Sequence, residues 1–193
     1  LQTHIPVALN TVMSGIPYWG TDIGGFYTTP EFTGELYVRW FQFSAFCPSF
    51  RSHGRTWQLR LPWGWNTGQT GPVEHEDGPA ASELHNAAVE PICREYLNLR
   101  YRLMPYTYTL ARDAYDTGLP LMRALWLHYP EDPLAAMQGG EYLWGRDILV
   151  APVVEKGASS RELYLPKGDW YDWWSGQRLA GGRNIRRDVD QRT

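Results

Sequence analysis

The stretch Gly15-Ile-Pro-Tyr-Trp-Gly-Thr-Asp22-Ile-Gly-Gly-Phe26 decides the reading of this chain. A short apolar run (Ile16, Tyr18 and Trp19) delivers one carboxylate, Asp22, and two glycines and an aromatic follow at once. A strand that ends in an acid and a Gly-permissive loop is how a β/α barrel presents a polar group at the mouth of its pocket. Asp22 arrives without the partner acid that carboxylate chemistry needs.

On either side the pattern is helical. Ile5, Leu9, Val12 and Met13 form a stripe that stops at Gly15. Downstream, Thr29-Pro30-Glu31 reads as an N-cap, a proline at the first helical position and a first-turn acid. Leu36, Trp40, Phe43 and Cys47 then keep helical spacing until Pro48. Helix, strand and helix joined by short loops predict an α/β fold with parallel strands.

Residues 54–82 are rich in Gly and Pro, as a functional or mobile loop would be. From Asn86, a candidate N-cap, apolar residues recur at three and four from Val89 to Ala114. They predict one long amphipathic helix, kinked at Pro105 and ended by Gly118. Residues 120–132 read as another buried strand ending in polar groups. Past residue 137 the pattern changes to short strands, with Lys167-Gly168 and Ser175-Gly176 as turns. The expected organisation is therefore an α/β domain over residues 1–136 and an unfinished all-β domain over 137–193.

Composition narrows the function. The 193 residues are enough to bury a sizeable core, and a net charge of −3 gives no basic footprint for nucleic acid. No apolar run is long enough for a transmembrane helix. Cys47 and Cys93 sit in apolar helical patterns, which predicts buried free thiols rather than a disulfide framework or a metal site. Aromatics make up 15%, with ten Trp and twelve Tyr, and many Trp adjoin Gly, Pro or Asp. Such residues serve either as bulky core or as surfaces for the apolar faces of sugar rings. Neither end carries a start, leader or closing signal, so the ends read as cut and the compartment is unread.

Few residues carry chemistry. Asp22 either hydrogen-bonds a substrate hydroxyl or a catalytic neighbour, or caps the loop formed with Gly24 and Gly25. Arg51 and His53, two apart on a returning strand, share a face and offer donors to adjacent hydroxyls or a carboxylate. The alternatives are an Arg51 pair with a structural acid and a His53 satisfied by backbone. Glu74-His-Glu-Asp77 lacks ligand spacing and reads as a solvated loop. Asp132 lies either near the pocket or in a turn, and Arg100 and Arg102 read as a helix face that pairs with acids. Gly24-Gly25 is no phosphate loop, and there is no Gly-x-Ser-x-Gly elbow. No cofactor is implied.

The order of motifs says more than any one of them. The opening stretch is followed by Arg39-Trp-Phe-Gln, Phe50-Arg-Ser-His-Gly, Leu99-Arg-Tyr-Arg-Leu-Met-Pro-Tyr and Gly118-Leu-Pro-Leu-Met-Arg. Tyr129-Pro-Glu-Asp, Leu149-Val-Ala-Pro-Val, Tyr164-Leu-Pro-Lys-Gly and Trp170-Tyr-Asp-Trp-Trp complete the series. Over essentially its whole length the chain resembles family 31 of the glycoside hydrolases. The resemblance implies the last part of a (β/α)8 barrel followed by an incomplete all-β sandwich. It also implies hydrolysis of α-glycosidic bonds with retention, as in α-glucosidases and α-xylosidases, by two carboxylates about 5 Å apart.

In that family the nucleophile lies in a Trp-x-Asp-Met-Asn-Glu-like motif and the acid/base in a Trp-x-Gly-Asp motif. Neither occurs in these residues. No catalytic residue is therefore assigned, and the 193 residues are expected to be inactive alone. Carried over position by position, His53 looks like the histidine that hydrogen-bonds the glycone hydroxyls, Phe26 like the apolar pocket wall and Asp22 like the pocket carboxylate. Arg51 is a supporting or structural partner. The implied ligand is an α-glucoside or α-xyloside. A non-catalytic carbohydrate-binding or scaffold protein is the alternative, and a lyase or transglycosylase of the same fold would share the pocket. Two barrel strands cannot close a barrel, so poor autonomous folding is expected. Glycone preference and oligomeric state are unread.

Overall fold

The computed structural model describes residues 1–55, 57–67, 78 and 80–193. Helix α1 (His4–Met13) buries Ile5, Ala8, Leu9 and Val12, the stripe read from the sequence. Strand β1 is shorter than expected, Gly20–Asp22. Pro17 cannot donate to a ladder, and Ile16 and Tyr18 before β1 are 59% and 58% exposed rather than buried.

Helix α2 (Gly34–Ser44) begins four residues later than predicted. Thr33, not Thr29, is its N-cap, accepting from the Leu36 amide at 3.3 Å. Thr29 instead closes a turn, its carbonyl accepting from the Phe32 amide at 2.9 Å. Helix α2 is buried on nearly every face, from Tyr37 through Ser44. Strand β2 (Ser49–Arg51) then returns parallel to β1, with Gly20 opposite Ser49 and Asp22 opposite Arg51. The expected helix, strand, helix and parallel strand are all present.

Three short 3-10 helices follow, Trp57–Arg60, Pro62–Asn66 and Ala81–His85. The Glu74–Asp77 cluster lies outside the described residues. The single long helix predicted next is two, α3 (Val89–Arg102) and α4 (Met104–Thr117), separated at Leu103 with φ −84° and ψ 0°. A proline inside a continuous helix loses a hydrogen bond and clashes with the preceding turn. Breaking at Leu103 puts Pro105 in the first turn of α4, where its missing amide costs nothing. Asn86 is not the N-cap, which is Ala88; the Asn86 side chain accepts from the Ala88 amide just ahead of α3. Among the described residues Arg100 pairs with no acid. It donates to the carbonyls of Ala45, Cys47 and Pro48, tying α3 to the turn after α2.

The predicted strand over 120–132 reduces to β3 (Met122–Arg123) and a 3-10 turn at Leu125–Leu127, and helix α5 (Pro133–Ala136) follows it. Asp132 is the cap of α5 and also accepts from the Tyr164 hydroxyl at 2.6 Å, so it belongs to a turn. Strand β3 pairs antiparallel with β4 (Tyr142–Trp144), which pairs with β5 (Ile148–Val150). The remainder is antiparallel ribbon. Strand β6 (Ser160–Leu165) pairs with β9 (Arg183–Asp188), and β7 (Asp169–Tyr171) pairs with β8 (Arg178–Ala180).

The main core joins α1, α2, α3 and β4, and Cys47 and Cys93 lie in it as free thiols. A smaller cluster of Leu125, Ala135, Leu143 and Tyr164 carries β6. Among the described residues no helix is long and apolar enough to cross a membrane, and no group of three or more potential metal ligands gathers.

Candidate carbohydrate site

The site forms where the parallel pair ends. Strands β1 and β2 finish side by side at Asp22 and Arg51. Parallel neighbours at the same register place their side chains on the same face, within reach of each other. Arg51 donates to Asp22 Oδ1 twice, from Nε at 3.1 Å and from Nη2 at 2.7 Å. The pair is open to solvent, with the Arg51 side chain 56% and the Asp22 side chain 24% exposed. Both bonds end on Oδ1, so Oδ2 takes no part in the pair.

The two chains then turn off the sheet, and their next functional residues meet. Phe26 follows β1 by four residues and His53 follows β2 by two. Their rings lie 5.3 Å apart, tilted at 55°. His53 is thus beyond the strand, not on it, and its ring meets an aromatic partner. Phe26 also meets the edge of Tyr27 at 5.0 Å, and the Arg55 guanidinium lies over the Tyr27 ring at 5.2 Å. The four predicted residues therefore come together as two pairs, an ion pair on the strand ends and a ring pair on the loops that follow. Phe26 and His53 are both exposed.

What holds these loops was missed in the sequence. Arg60, at the end of a 3-10 turn, is buried and aims its guanidinium at main-chain oxygens. Nε donates to the Arg55 carbonyl at 2.8 Å and Nη2 to the Phe26 carbonyl at 3.0 Å. Nη1 donates to the Gly25 carbonyl and to that of Ile23. The planar cation also lies over the Phe32 ring at 4.6 Å. Burial pulls the Arg60 pKa down, and the nearby Tyr37 and Asp22 pull it back up. The Arg60 carbonyl in turn accepts from the Tyr37 hydroxyl at 2.8 Å and from Ser52. Nothing about Arg60 in the local sequence sets it apart from a surface arginine; its partners lie up to 37 residues away.

Two glycines allow the close approach. Gly24 and Gly54 have φ of +83° and +136°, conformations that side chains rarely adopt. A Cβ on Gly24 would strike Phe32, and one on Gly54 would lie 2.6 Å from the Phe26 carbonyl and 2.8 Å from the Arg60 guanidinium. Gly24 and Gly54 are thus needed for packing around Phe32 and Arg60.

Chemically, the arrangement offers an acceptor carboxylate, an imidazole able to donate or accept, and an apolar ring. These are groups that grip a polyhydroxylated ring. They do not include two carboxylates facing each other.

Comparison with known proteins fits this picture. Residues 1–110 match the glycosyl hydrolases family 31 TIM-barrel domain, and residues 118–193 match the glycosyl hydrolase family 31 C-terminal domain. An alpha-xylosidase of Saccharolobus solfataricus is 37% identical over 187 residues, which are 95% of this chain and 23% of that protein. A 1,6-alpha-glucosyltransferase of Sporosarcina globispora is 36% identical over 197 residues, which are 100% of this chain and 14% of that protein. A GH31 dextranase of Flavobacterium johnsoniae, solved in complex with glucose, superposes with a TM-score of 0.84 at 38% identity. That match covers 98% of this chain and 21% of the dextranase. The chain thus spans about a fifth of the length of its relatives, and by both domain matches it belongs to glycosyl hydrolase family 31.

Proposed function

We propose that the full-length protein is a retaining α-glycosidase acting on terminal α-linked glucosyl or xylosyl residues, and that these residues form one wall of its glycone subsite. In this reading the α/β portion is the last part of a (β/α)8 barrel and the strands after about residue 137 open a β-sandwich. His53 hydrogen-bonds ring hydroxyls, Phe26 packs on the apolar face of the sugar, and Asp22 accepts from a further hydroxyl. Arg51 fixes the Asp22 carboxylate through Oδ1 and leaves Oδ2 for the ligand.

The observation that carries the reading is the meeting of Phe26 and His53 at 5.3 Å, directly beyond the Asp22–Arg51 pair. An apolar ring beside polar groups suits a sugar. Contacts to hydroxyls that tighten as the oxocarbenium-like transition state forms contribute about a few kcal/mol to catalysis. The bond-breaking carboxylates belong to the Trp-x-Asp-Met-Asn-Glu and Trp-x-Gly-Asp motifs, which these residues do not contain.

The test compares two proteins on an aryl α-glucoside and an aryl α-xyloside. The full-length protein turns over at least one and releases the α-anomer, while the isolated 193 residues turn over neither. Hydrolysis by the pure 193-residue chain, or release of the β-anomer, overturns the reading. Similarity to a named glucosyltransferase favours a second reading, in which a sugar hydroxyl replaces water as acceptor. Larger oligosaccharides among the products of a malto-oligosaccharide digest would select it.

A further inference from the structure

We propose that Arg60 is the positioning residue of the sugar site, a buried clamp that sets the spacing of the Phe26 loop and the His53 loop; this rests on the reading of Phe26 and His53 as sugar-binding groups. The two loops meet through the Phe26–His53 rings and through Arg55 over Tyr27, and among the described residues one main-chain bond joins them, from the Arg55 amide to the Phe26 carbonyl at 2.8 Å. Arg60 adds four, three to the first loop at Ile23, Gly25 and Phe26 and one to the second at Arg55.

The geometry favours a guanidinium. Its donors radiate in one plane, which lets a single side chain reach carbonyls on two loops while its face rests on Phe32. A lysine ammonium on a flexible stem has neither the spread nor the flat face. Tyr37 and Ser52 hold the Arg60 main chain from behind through its carbonyl, so the clamp is itself anchored to α2 and to the strand exit that leads to His53. Arg60 touches neither of the rings it aligns except through the Phe26 main chain. Its effect on sugar is therefore indirect, and small displacements of a gripping group are enough to cost about 100-fold in rate.

The experiment uses the full-length enzyme carrying Arg60→Lys and Arg60→Gln, alone and combined with Phe26→Ala and His53→Ala. Arg60→Lys is expected to lower kcat/KM about 10- to 100-fold. In the Phe26→Ala/His53→Ala background the same change is expected to cost about twofold or less, because the groups it positions are gone. Amide hydrogen exchange is expected to speed up at Gly25 and Arg55 and to stay unchanged across α2.

An Arg60→Lys loss that is undiminished in the double background overturns the proposal, as does wild-type kcat/KM with unchanged exchange. Failure of both Arg60 variants to fold overturns it too, since Arg60 would then be a scaffold residue. If Phe26→Ala and His53→Ala leave kcat/KM unchanged, the sugar site itself fails and takes this role with it. That failure is told apart from the others because it needs no change at Arg60.

Discussion

Two regions of this molecule use the same residue types to opposite ends. Around the site, between β1 and the turn at Pro62–Asn66, Tyr37, Arg39, Trp40, Arg60 and Trp65 are inside, while Tyr27, Arg51 and Trp63 stay at the surface. Trp65 is fully buried against Phe32 and Tyr37, at ring distances of 5.4 and 5.6 Å, and Arg60 spends its donors on main-chain carbonyls. In the ribbons β6 to β9, Trp173, Trp174 and Tyr171 are exposed, and Arg178 meets Asp169 at 2.8 Å in an open salt bridge. An exposed pair of that kind contributes about 0–1 kcal/mol. A buried guanidinium bonded to backbone fixes where loops lie. The lesson is that position, not composition, decides whether an aromatic or an arginine shapes a site.

The largest effect should fall on the buried aromatic triad. Trp65→Ala removes the ring that Phe32 and Tyr37 pack on, and should destabilise the full-length protein by about 3–5 kcal/mol in urea unfolding. A loss near that of an exposed aromatic such as Trp173→Ala would break the contrast between the regions.

A smaller effect is expected where the start of β4 meets the ribbons. Glu141 is buried just before β4, and both its oxygens lie within reach of the Tyr164 amide of β6, at 3.1 and 3.2 Å. Burial pushes its carboxyl up from 4.5 to about 7, against the pull of that amide and of Arg161. The unfolded chain releases this proton near pH 4.5, while the folded chain keeps it until about 7. Between those values the folded state holds more protons, so stability falls as pH rises, by about 3 kcal/mol over the window. Glu141→Gln keeps an acceptor for Tyr164 and should abolish this slope, leaving the protein more stable than wild type at pH 8. Parallel unfolding curves from pH 5 to 8 would show it, and an unchanged slope would contradict the burial argument.

The smallest stability effect belongs to the exposed half of the site. Asp22→Asn and Arg51→Met should each shift stability by about 1 kcal/mol or less. The same Asp22→Asn should weaken competitive inhibition by glucose or xylose about tenfold, because it removes an anionic acceptor for a hydroxyl. Unfolding curves and inhibition constants measured on one preparation separate the two roles. A large loss of stability with unchanged inhibition would make Asp22 a loop cap.

How much of this was legible follows from which interactions are local. The stripe of α1, the core face of α2 and the parallel strands rest on spacing within a few residues, and each is present. The order of motifs placed Asp22, Phe26, Arg51 and His53, and they do gather at the exits of β1 and β2. Other features depend on distant partners. Thr29 reads as the cap of α2, yet its carbonyl closes a turn on the Phe32 amide and Thr33 caps the helix. Ile16 and Tyr18 read as strand core, yet a local sequence does not say what packs on them. Arg100 reads as part of a helix face that pairs with acids and Arg60 carries no signal of its own, while both serve main-chain carbonyls that no periodic pattern reveals.

The central claim is that the ring pair beyond the strand ends grips a sugar, and His53→Ala in the full-length protein tests it most directly. Steady-state kinetics on the better aryl α-glycoside should show kcat/KM reduced about 100-fold or more, with the thermal midpoint nearly unmoved because His53 is exposed. A kcat/KM within about twofold of wild type would remove His53 from the subsite and, with it, the account of what Phe26, Asp22 and Arg51 are arranged to hold.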